Sequence, residues 1–256
     1  MTVRVRRPAK LPWFLRWRTN LIHMPLMAVA TIGFGSAALA VSVVEKKGRV
    51  QHRIAQGWAR AMVLLGAARV SVVGRENLHR HPVAVYASNH TSYMDTPVIF
   101  ASLPFQFRIL ARKALWPIPF IGWYLNRSGQ LPIDTENTHA ALASLGAAAK
   151  ALRGGMPLFV FPEGGRTANG ELKPFLSGAA YLAIRSHVPL VPLALVGAYD
   201  LLPIHTRHLF PSRVKLIVGE PIATWGMTLR QTDELTERLR DAIQTLLDRE
   251  AVVGTN

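Results

Sequence analysis

A histidine and an aspartate follow directly behind an apolar stretch of the chain. Residues 82–88, "PVAVYAS", have the character of a buried β-strand, and "NHTSYMD" comes next at positions 89–95. An imidazole whose Nδ1–H is held by a carboxylate keeps Nε2 free as a general base. His90 and Asp95 could therefore take a proton from a substrate hydroxyl. The alternative is a polar turn with a loop histidine and a helix-capping aspartate.

The spacing of this pair limits how it can be brought together. Five positions apart on a regular helix, the two side chains would diverge by about 140°. The pair therefore needs a turn after the strand, with Asp95 entering the helix that follows. Pro97 suits the first turn of such a helix. Taken alone, the pair does not decide between a base and a polar turn.

A second polar cluster follows another apolar stretch. Residues 161–170, "FPEGGRTANG", contain Glu163 and Arg166. Ligands of open α/β sheets bind outside the carboxyl ends of the strands, so both clusters are expected to face one crevice. Gly164 and Gly165 permit close approach of the backbone, and a guanidinium matches phosphate oxygens. By itself, however, a Glu-Gly-Gly-Arg tetrapeptide is usually a turn.

The elements that would position these clusters can be read from residue 69 onward. Short apolar runs alternate with helix-compatible segments, and several runs are apolar at successive positions, as in strands covered on both faces. This predicts an α/β domain over residues 69–256, a largely parallel mixed sheet flanked by helices. The predicted strands are 69–74, 82–88, 107–112, 129–134, 156–162, 190–197 and 213–221. The predicted helices are 50–67, 139–152, 177–187 and 228–251, the last as an ordinary packing helix.

Residues 1–68 are predicted to form a basic, apolar N-terminal membrane anchor with a linking helix. The 24 residues 21–44 include no Asp, Glu, Lys or Arg. As one helix they would reach about 36 Å, enough for a hydrocarbon core of about 30 Å. Pro25 and residues 33–36 could instead break the run into two shorter helices within one leaflet. A single span and a re-entrant hairpin therefore both stay open.

The charge of the chain favours an anionic partner. Thirty Lys and Arg against 15 Asp and Glu give a net charge of +15. Residues 1–60 hold eleven basic residues and one acid, Glu45, around the apolar run. This distribution favours an anionic membrane surface over nucleic acid, which calls for basic and aromatic residues interleaved. A basic protein that binds without catalysing a reaction is the competing class. The absence of cysteine excludes disulfides, thiolate metal sites and a cysteine nucleophile.

Together the two clusters resemble motifs of the glycerolipid acyltransferase family, which includes the 1-acylglycerol-3-phosphate acyltransferases. Residues 89–95 are similar to its first motif and residues 161–166 to its third. The apolar segment 190–195, "LVPLAL", is similar to its fourth, and residues 111–134 resemble the stretch leading through its second. The resemblance covers roughly residues 70–220 in order.

The resemblance implies transfer of a fatty acyl group to a lysolipid hydroxyl. In the simplest case the acceptor is 1-acylglycerol 3-phosphate and the product is phosphatidate. The donor would be a thioester, acyl-CoA or acyl-carrier protein, and no metal or other cofactor would be needed. His90 would be the general base and Asp95 its partner. The residues implied in the acceptor site are Asn89, Lys113, Glu163, Gly164, Gly165 and Arg166. Such an enzyme would sit at the inner membrane with its active site on the cytoplasmic side.

Two positions depart from the family pattern. Gly165 stands where Thr or Ser is usual, which removes a hydroxyl. Thr135 stands where the second motif usually has a basic residue associated with the acceptor phosphate. The acceptor could therefore be a lyso-ornithine lipid or another lysophospholipid, or Lys113, Arg112 or Arg127 could replace the missing charge. A lipid hydrolase that activates water with the same His–Asp pair is the less favoured alternative.

Overall fold

A computed structural model of the chain describes residues 17–81, 83–134, 138–204, 206 and 208–253. Thr135 and the basic residues before Trp17 lie outside the described residues. The strands are β1 (Arg69–Val73), β2 (Val85–Ser88), β3 (Arg108–Arg112), β4 (Leu131–Ile133), β5 (Leu158–Val160), β6 (Leu190–Val196) and β7 (Arg213–Val218). The helices are α1 (Met24–Val41), α2 (Arg49–Leu65), α3 (Glu76–Arg80), α4 (Asp95–Ser102), α5 (Ile121–Arg127), α6 (Thr138–Arg153), α7 (Gly178–Ser186), α8 (Ala198–Leu201) and α9 (Thr232–Val253). Each strand and helix predicted from the apolar pattern corresponds to one of these elements.

The described strands form one mixed sheet in the order β1-β7-β6-β2-β5-β3-β4. Its pairings are parallel except for the antiparallel pair of β6 and β7. Every residue of β2 and β5 is buried, which explains why these strands read as continuous apolar runs. The prediction of a largely parallel mixed sheet flanked by helices is confirmed.

Two layers of helices cover the sheet. One core joins residues of α2 and α4 to one face of the strands, with Met62, Ile99 and Phe107 among its buried members. The other core joins α6, α7 and α9 to the opposite face. Leu239 and Ile243 of α9 are almost wholly buried there, so this amphipathic helix is the packing helix that its pattern predicted.

The N-terminal apolar segment is a helix that turns back on the domain. A π-helical turn, Thr19–His23, runs into α1 without a break at Gly33 or Gly35, so of the two alternatives left open the run is one continuous helix. Residues Thr19–Val41 form a helix long and apolar enough to cross a membrane by length and composition. The chain then turns, and α2 packs beside α1.

Contacts along the two helices show that they run in opposite directions. The Nδ1 atom of His23 contacts the carbonyl oxygen of Leu65, and Trp58 Nε1 donates to Thr31 Oγ1 at 3.0 Å. Helix α2 in turn contributes Ala55, Ala59 and Met62 to the core of the α/β domain. The hairpin of α1 and α2 therefore lies against the domain. The proposed division of the chain at residue 68 stays a prediction.

Candidate active site

The two polar clusters leave neighbouring strands of the sheet at the same edge. Strands β2 and β5 are parallel and paired, so residues 89–95 and 161–166 both start at the carboxyl edge. The backbone N–H of His90 donates to Glu163 Oε1 at 2.6 Å, although 73 positions of sequence separate them. The N–H of Thr167 donates to the carbonyl oxygen of His90 at 2.9 Å. The expectation that both clusters face one crevice therefore agrees with the geometry.

His90 and Asp95 form a buried pair. His90 Nδ1 lies 2.8 Å from Asp95 Oδ2, and Asp95 is the first residue of α4. The same oxygen accepts the backbone N–H groups of Thr91 at 2.6 Å and Ser92 at 2.8 Å. A carboxylate at Nδ1 requires the proton on that nitrogen, which leaves the lone pair of Nε2 free to accept another proton. The turn predicted between strand and helix thus produces an imidazole with a defined tautomer.

The imidazole of His90 is held flat against an aromatic ring. It stacks on Phe161 with ring centroids 3.8 Å apart and an interplanar angle of 11°. Burial lowers the pKa of His90, although the hydrogen bond and charge of Asp95 act to raise it. The imidazole is consequently neutral near pH 7, the state a general base requires.

Asn89 faces the protein backbone rather than the crevice. Its Nδ2 donates to the carbonyl oxygen of Leu195 at 2.9 Å, and its Oδ1 accepts the Leu195 N–H at 2.7 Å. The side chain is buried, and these contacts tie the start of the His90 loop to strand β6. This geometry assigns Asn89 to positioning, and its predicted substrate contact stays untested.

Glu163 joins the two loops. Its Oε1 accepts the His90 N–H, and its Oε2 accepts the N–H of Lys173 at 3.0 Å. Burial raises the pKa of Glu163 to about 7, although these N–H groups and the charge of Lys173 act to lower it. Both carboxylate oxygens are thus used within the protein. Glu163 supports the loop that carries His90.

The raised pKa of Glu163 predicts a pH-dependent stability. An acid with a higher pKa in the folded state binds more protons when folded, so the free energy of unfolding falls as pH rises. For Glu163 this loss falls between its ordinary pKa of 4.5 and about 7. Glu163→Gln carries no titrating group and should lack this component, although its amide oxygen can replace only one of two acceptors. The measurement is the free energy of unfolding of both proteins, from chemical denaturation in detergent between about pH 4 and 8.

The difference between the wild-type and Glu163→Gln curves isolates the glutamate, because the other titrating groups are common to both proteins. The wild-type protein should lose stability relative to the variant as pH rises through this window. Parallel curves across the whole range would contradict the assignment.

Arg166 is held at the crevice by contacts with the loop that carries His90. Its Nε donates to the carbonyl oxygen of Ser92 at 3.0 Å, and its guanidinium carbon lies 4.3 Å from the centre of the Tyr93 ring. These contacts fix the plane of the guanidinium while no hydrogen bond to another described residue occupies its Nη atoms. A planar fork held in this way suits the oxygens of a phosphate.

The two glycines before Arg166 differ in what their positions allow. Gly164 has φ +67°, and a Cβ there would lie 2.9 Å from Leu176 Cδ1, so this position favours glycine. A Cβ at Gly165 would meet nothing within 4 Å. The hydroxyl residue usual in the family would therefore have room at Gly165, and its absence here is not forced by packing.

Lys173 is a further basic residue of this site, and no motif in the sequence indicates it. Its Nζ donates to the carbonyl oxygen of Arg166, in the same peptide unit whose N–H donates to the carbonyl oxygen of His90. Its positive charge also acts to lower the pKa of both His90 and Glu163. The signal available in the sequence was only its place ten residues after Glu163.

The other basic candidates occupy different places. Lys113 follows the carboxyl end of β3, with Nζ 3.4 Å from Asp134 Oδ2 and 64% of its side chain exposed. Arg112 is exposed beside it. One strand separates β3 from β2, so Lys113 and His90 leave the same edge about 10 Å apart. Arg127 ends α5 near the start of β4, at the opposite edge, and does not join the His90 cluster.

Comparison with known proteins agrees with this arrangement. The family model described as Acyltransferase matches residues 69–196. A 1-acyl-sn-glycerol-3-phosphate acyltransferase of Saccharomyces cerevisiae is 30% identical over 84% of this chain and 73% of its own length. The chloroplastic 1-acyl-sn-glycerol-3-phosphate acyltransferase LPAT1 of Arabidopsis thaliana is 30% identical over 68% of this chain, which spans about half (49%) of that protein.

A solved structure has the same fold. The crystal structure of the 1-acyl-sn-glycerophosphate acyltransferase PlsC from Thermotoga maritima superposes with a TM-score of 0.77, at 22% sequence identity. The superposition covers 92% of this chain and 97% of that chain. The family match spans both polar clusters and the strands that carry them. The chain belongs to the acyltransferase family.

Proposed function

We propose that the chain transfers a fatty acyl group from an acyl thioester to the free hydroxyl of 1-acylglycerol 3-phosphate, forming phosphatidate. The observation that carries the proposal is the meeting, at one sheet edge, of a buried His90–Asp95 base and the Arg166 guanidinium. A base and an anion-binding group side by side suit an alcohol that carries a phosphate. The yeast and Arabidopsis relatives, both named as 1-acyl-sn-glycerol-3-phosphate acyltransferases, support the same acceptor.

In this mechanism Nε2 of His90 accepts the proton of the acceptor hydroxyl as its oxygen attacks the thioester carbonyl. The imidazolium that forms is stabilised by the Asp95 carboxylate at Nδ1. Collapse of the tetrahedral intermediate breaks the carbon–sulfur bond, and the imidazolium returns the proton to the leaving thiolate. The products are an ester and a thiol. The attack is direct, so no acyl-enzyme is formed.

A panel of acceptors and donors tests the reaction. Purified protein in mixed micelles is given lysophosphatidate, lysophosphatidylcholine or lyso-ornithine lipid, with labelled acyl-CoA or acyl-carrier protein as donor. We expect a diacyl product only from the acceptor with a terminal phosphate monoester. Equal transfer to lyso-ornithine lipid would show that no terminal phosphate is required and would contradict the proposed acceptor. Release of free fatty acid without any ester product would show a hydrolase instead.

Arg166→Ala is expected to raise the apparent KM for the phosphate-bearing acceptor about tenfold or more, because a charge-assisted hydrogen bond is worth about 1.5–3 kcal/mol. The turnover number should change much less, since His90 and Asp95 keep their contacts. Steady-state kinetics with the acceptor varied at saturating donor measures both quantities. Arg153→Ala is the matched control, because Arg153 is exposed at the end of α6, before β5 and far from its carboxyl end. An unchanged KM in Arg166→Ala would count against a phosphate contact.

We also propose that the protein lies on the cytoplasmic face of the inner membrane with α1 in one leaflet. Helix α1 exposes large apolar residues, Val29 being 67% exposed. Its partner α2 exposes Arg53 and Arg60, and α2 packs on the catalytic domain. If α1 crossed the bilayer, these arginines would enter the hydrocarbon core, at high cost. Basic residues on both sides of the apolar run favour a cytoplasmic location for both ends.

A further inference from the structure

Five large apolar side chains are exposed within nine positions, directly after the loop that follows β3. The exposed fraction of each of these residues is between 37% and 54%. We call this surface the apolar ridge; its members are Leu115, Ile118, Phe120, Ile121 and Trp123. Contiguous exposed apolar residues of this kind mark a surface that contacts another apolar phase.

The ridge is held outward by the backbone. A Cβ at Gly122 would lie 1.8 Å from the carbonyl oxygen of Trp116, so only glycine fits where these two segments meet. Phe120 has φ +61° and ψ −51°, a positive-φ conformation that is costly for a residue with a bulky side chain. The rings of Phe120 and Trp123 pack against each other with centroids 5.2 Å apart. A tight and strained turn thus displays these side chains in a defined arrangement.

The charges around the ridge fit a layer of lipid phosphates. Arg112 and Lys113 precede it at the sheet edge that carries His90, and both are exposed. The sequence between Asp95 and Asp134 contains no acidic residue, and the carboxylate of Asp134 lies 3.4 Å from Lys113 Nζ. Apolar and aromatic side chains bordered by basic ones are typical of segments that lie in a membrane interface.

The ridge also continues the apolar surface of the N-terminal helix. Helix α5, which carries Ile121 and Trp123, packs against α1. Leu21 of the π-helical turn is 63% exposed, and Val29 and Ile32 of α1 are 67% and 56% exposed. An apolar surface therefore extends from the N-terminal hairpin to the catalytic domain itself.

We propose that the apolar ridge inserts into the membrane leaflet as a second anchor beside α1, with Arg112 and Lys113 at the level of the lipid phosphates. The ridge begins immediately after Lys113, which follows the carboxyl end of β3. Insertion would therefore bring the sheet edge that carries His90 down to the leaflet. This consequence, that a lipid acceptor reaches the site without leaving the membrane, rests on the proposed function.

Because the chain contains no cysteine, single labels can test insertion directly. Trp123→Cys is labelled with the environment-sensitive fluorophore NBD and mixed with vesicles of phosphatidylcholine and phosphatidylglycerol. We expect a blue shift of emission, quenching by nitroxide-labelled lipids and protection from aqueous iodide. Val29→Cys on α1 serves as the membrane-embedded reference. Trp225→Cys is the matched aqueous control, because Trp225 is 91% exposed and follows Ile222, which pairs with the amino end of β6 at Leu190.

Two outcomes would overturn the proposal. One is a label at position 123 that is as accessible to iodide on vesicles as the label at 225. The other is a blue shift that appears without vesicles and grows with protein concentration, which would assign the ridge to a second copy of the chain. These measurements need no catalysis, so they stand or fall independently of the proposed reaction.

An activity measurement adds the functional consequence. The double variant Phe120→Ser, Trp123→Ser should transfer acyl groups more slowly to lysophosphatidate presented in vesicles, by about thirtyfold if each of the two lost contacts costs about 1 kcal/mol. With a short-chain, water-soluble lysophosphatidate its rate should equal that of the wild-type protein. Trp225→Ser should match the wild-type protein in both assays. An equal loss with both acceptors would place these residues in the reaction itself and contradict a membrane role.

Discussion

His90→Ala should lose acyl transfer by about three to four orders of magnitude, the range seen when a member of a catalytic triad is removed. The variant lacks the nitrogen that accepts the hydroxyl proton, while Asp95 keeps its two backbone donors at Thr91 and Ser92. The loop should therefore stay folded. The measurement is the kcat/KM of purified protein with labelled acyl-CoA and lysophosphatidate.

A matched histidine separates loss of the base from a general effect. His79 is exposed in α3, which follows β1, and β1 runs opposite to β2 in the sheet. His79→Ala should retain wild-type activity. Transfer retained in His90→Ala at unchanged protein level would contradict the mechanism and would revive the competing class, a basic membrane-binding protein without catalytic activity.

Asp95→Asn should have the second largest effect, a loss of about 100-fold or more, within the range of general acid–base contributions. The asparagine oxygen can take the place of Oδ2 and accept from His90 Nδ1 and from both backbone N–H groups. The tautomer of His90 is then preserved. What disappears is the negative charge that stabilises the imidazolium formed during attack. The loss is therefore expected in kcat, measured with both substrates saturating.

The same substitution makes a prediction about stability. Asp95 Oδ1 is buried and has no hydrogen-bond partner among the described residues. The amide group of asparagine would place two donors there without acceptors, which costs about 1–3 kcal/mol. The free energy of unfolding should fall by that amount, and the circular dichroism spectrum should stay that of the wild-type protein. Wild-type kcat in Asp95→Asn would show that the carboxylate charge does not act in the reaction.

Much of the architecture could be predicted because its signals are local. Burial on both faces of the sheet demands apolar residues at successive strand positions, so β2, β5 and β6 are visible as continuous runs. The stripe on α9 likewise reports one packed face. Short elements escaped prediction. The four residues of α8 and the five of α3 are too short to show a helical period.

The path of the N-terminal segment could be determined only from the structure. The glycines of α1 suggested a break, yet a Cβ at Gly33 or Gly35 would meet nothing within 4 Å, and the helix continues through both. The close contact lies instead in α2, where a Cβ at Gly57 would lie 2.9 Å from the ring of Phe34. A glycine's role depends on what approaches it, and that partner lies elsewhere in the chain.

The chemistry of the site was readable because it resides in residue types at short spacing. His90 and Asp95 lie five positions apart, and the loop between them closes on itself through the aspartate. The sequence by itself therefore determined the class of fold, and it identified His90, Asp95 and Arg166 as the candidates for the base, its partner and the acceptor-binding group. The supporting contacts are of another kind. Glu163 reaches His90 across 73 positions, and Asn89 reaches Leu195 across 106.

The tertiary structure alone decided which polar groups support the loops and which remain available to substrate. Asn89 and Glu163 were predicted to lie in the acceptor site, but their hydrogen bonds run to backbone groups of other segments of the chain. Lys173 was missed, although it contacts the peptide unit that bonds to His90. The physical reason is that a side chain's partners depend on which strands pair in the sheet. Strand order is a property of the whole fold, and no local pattern of residues encodes it.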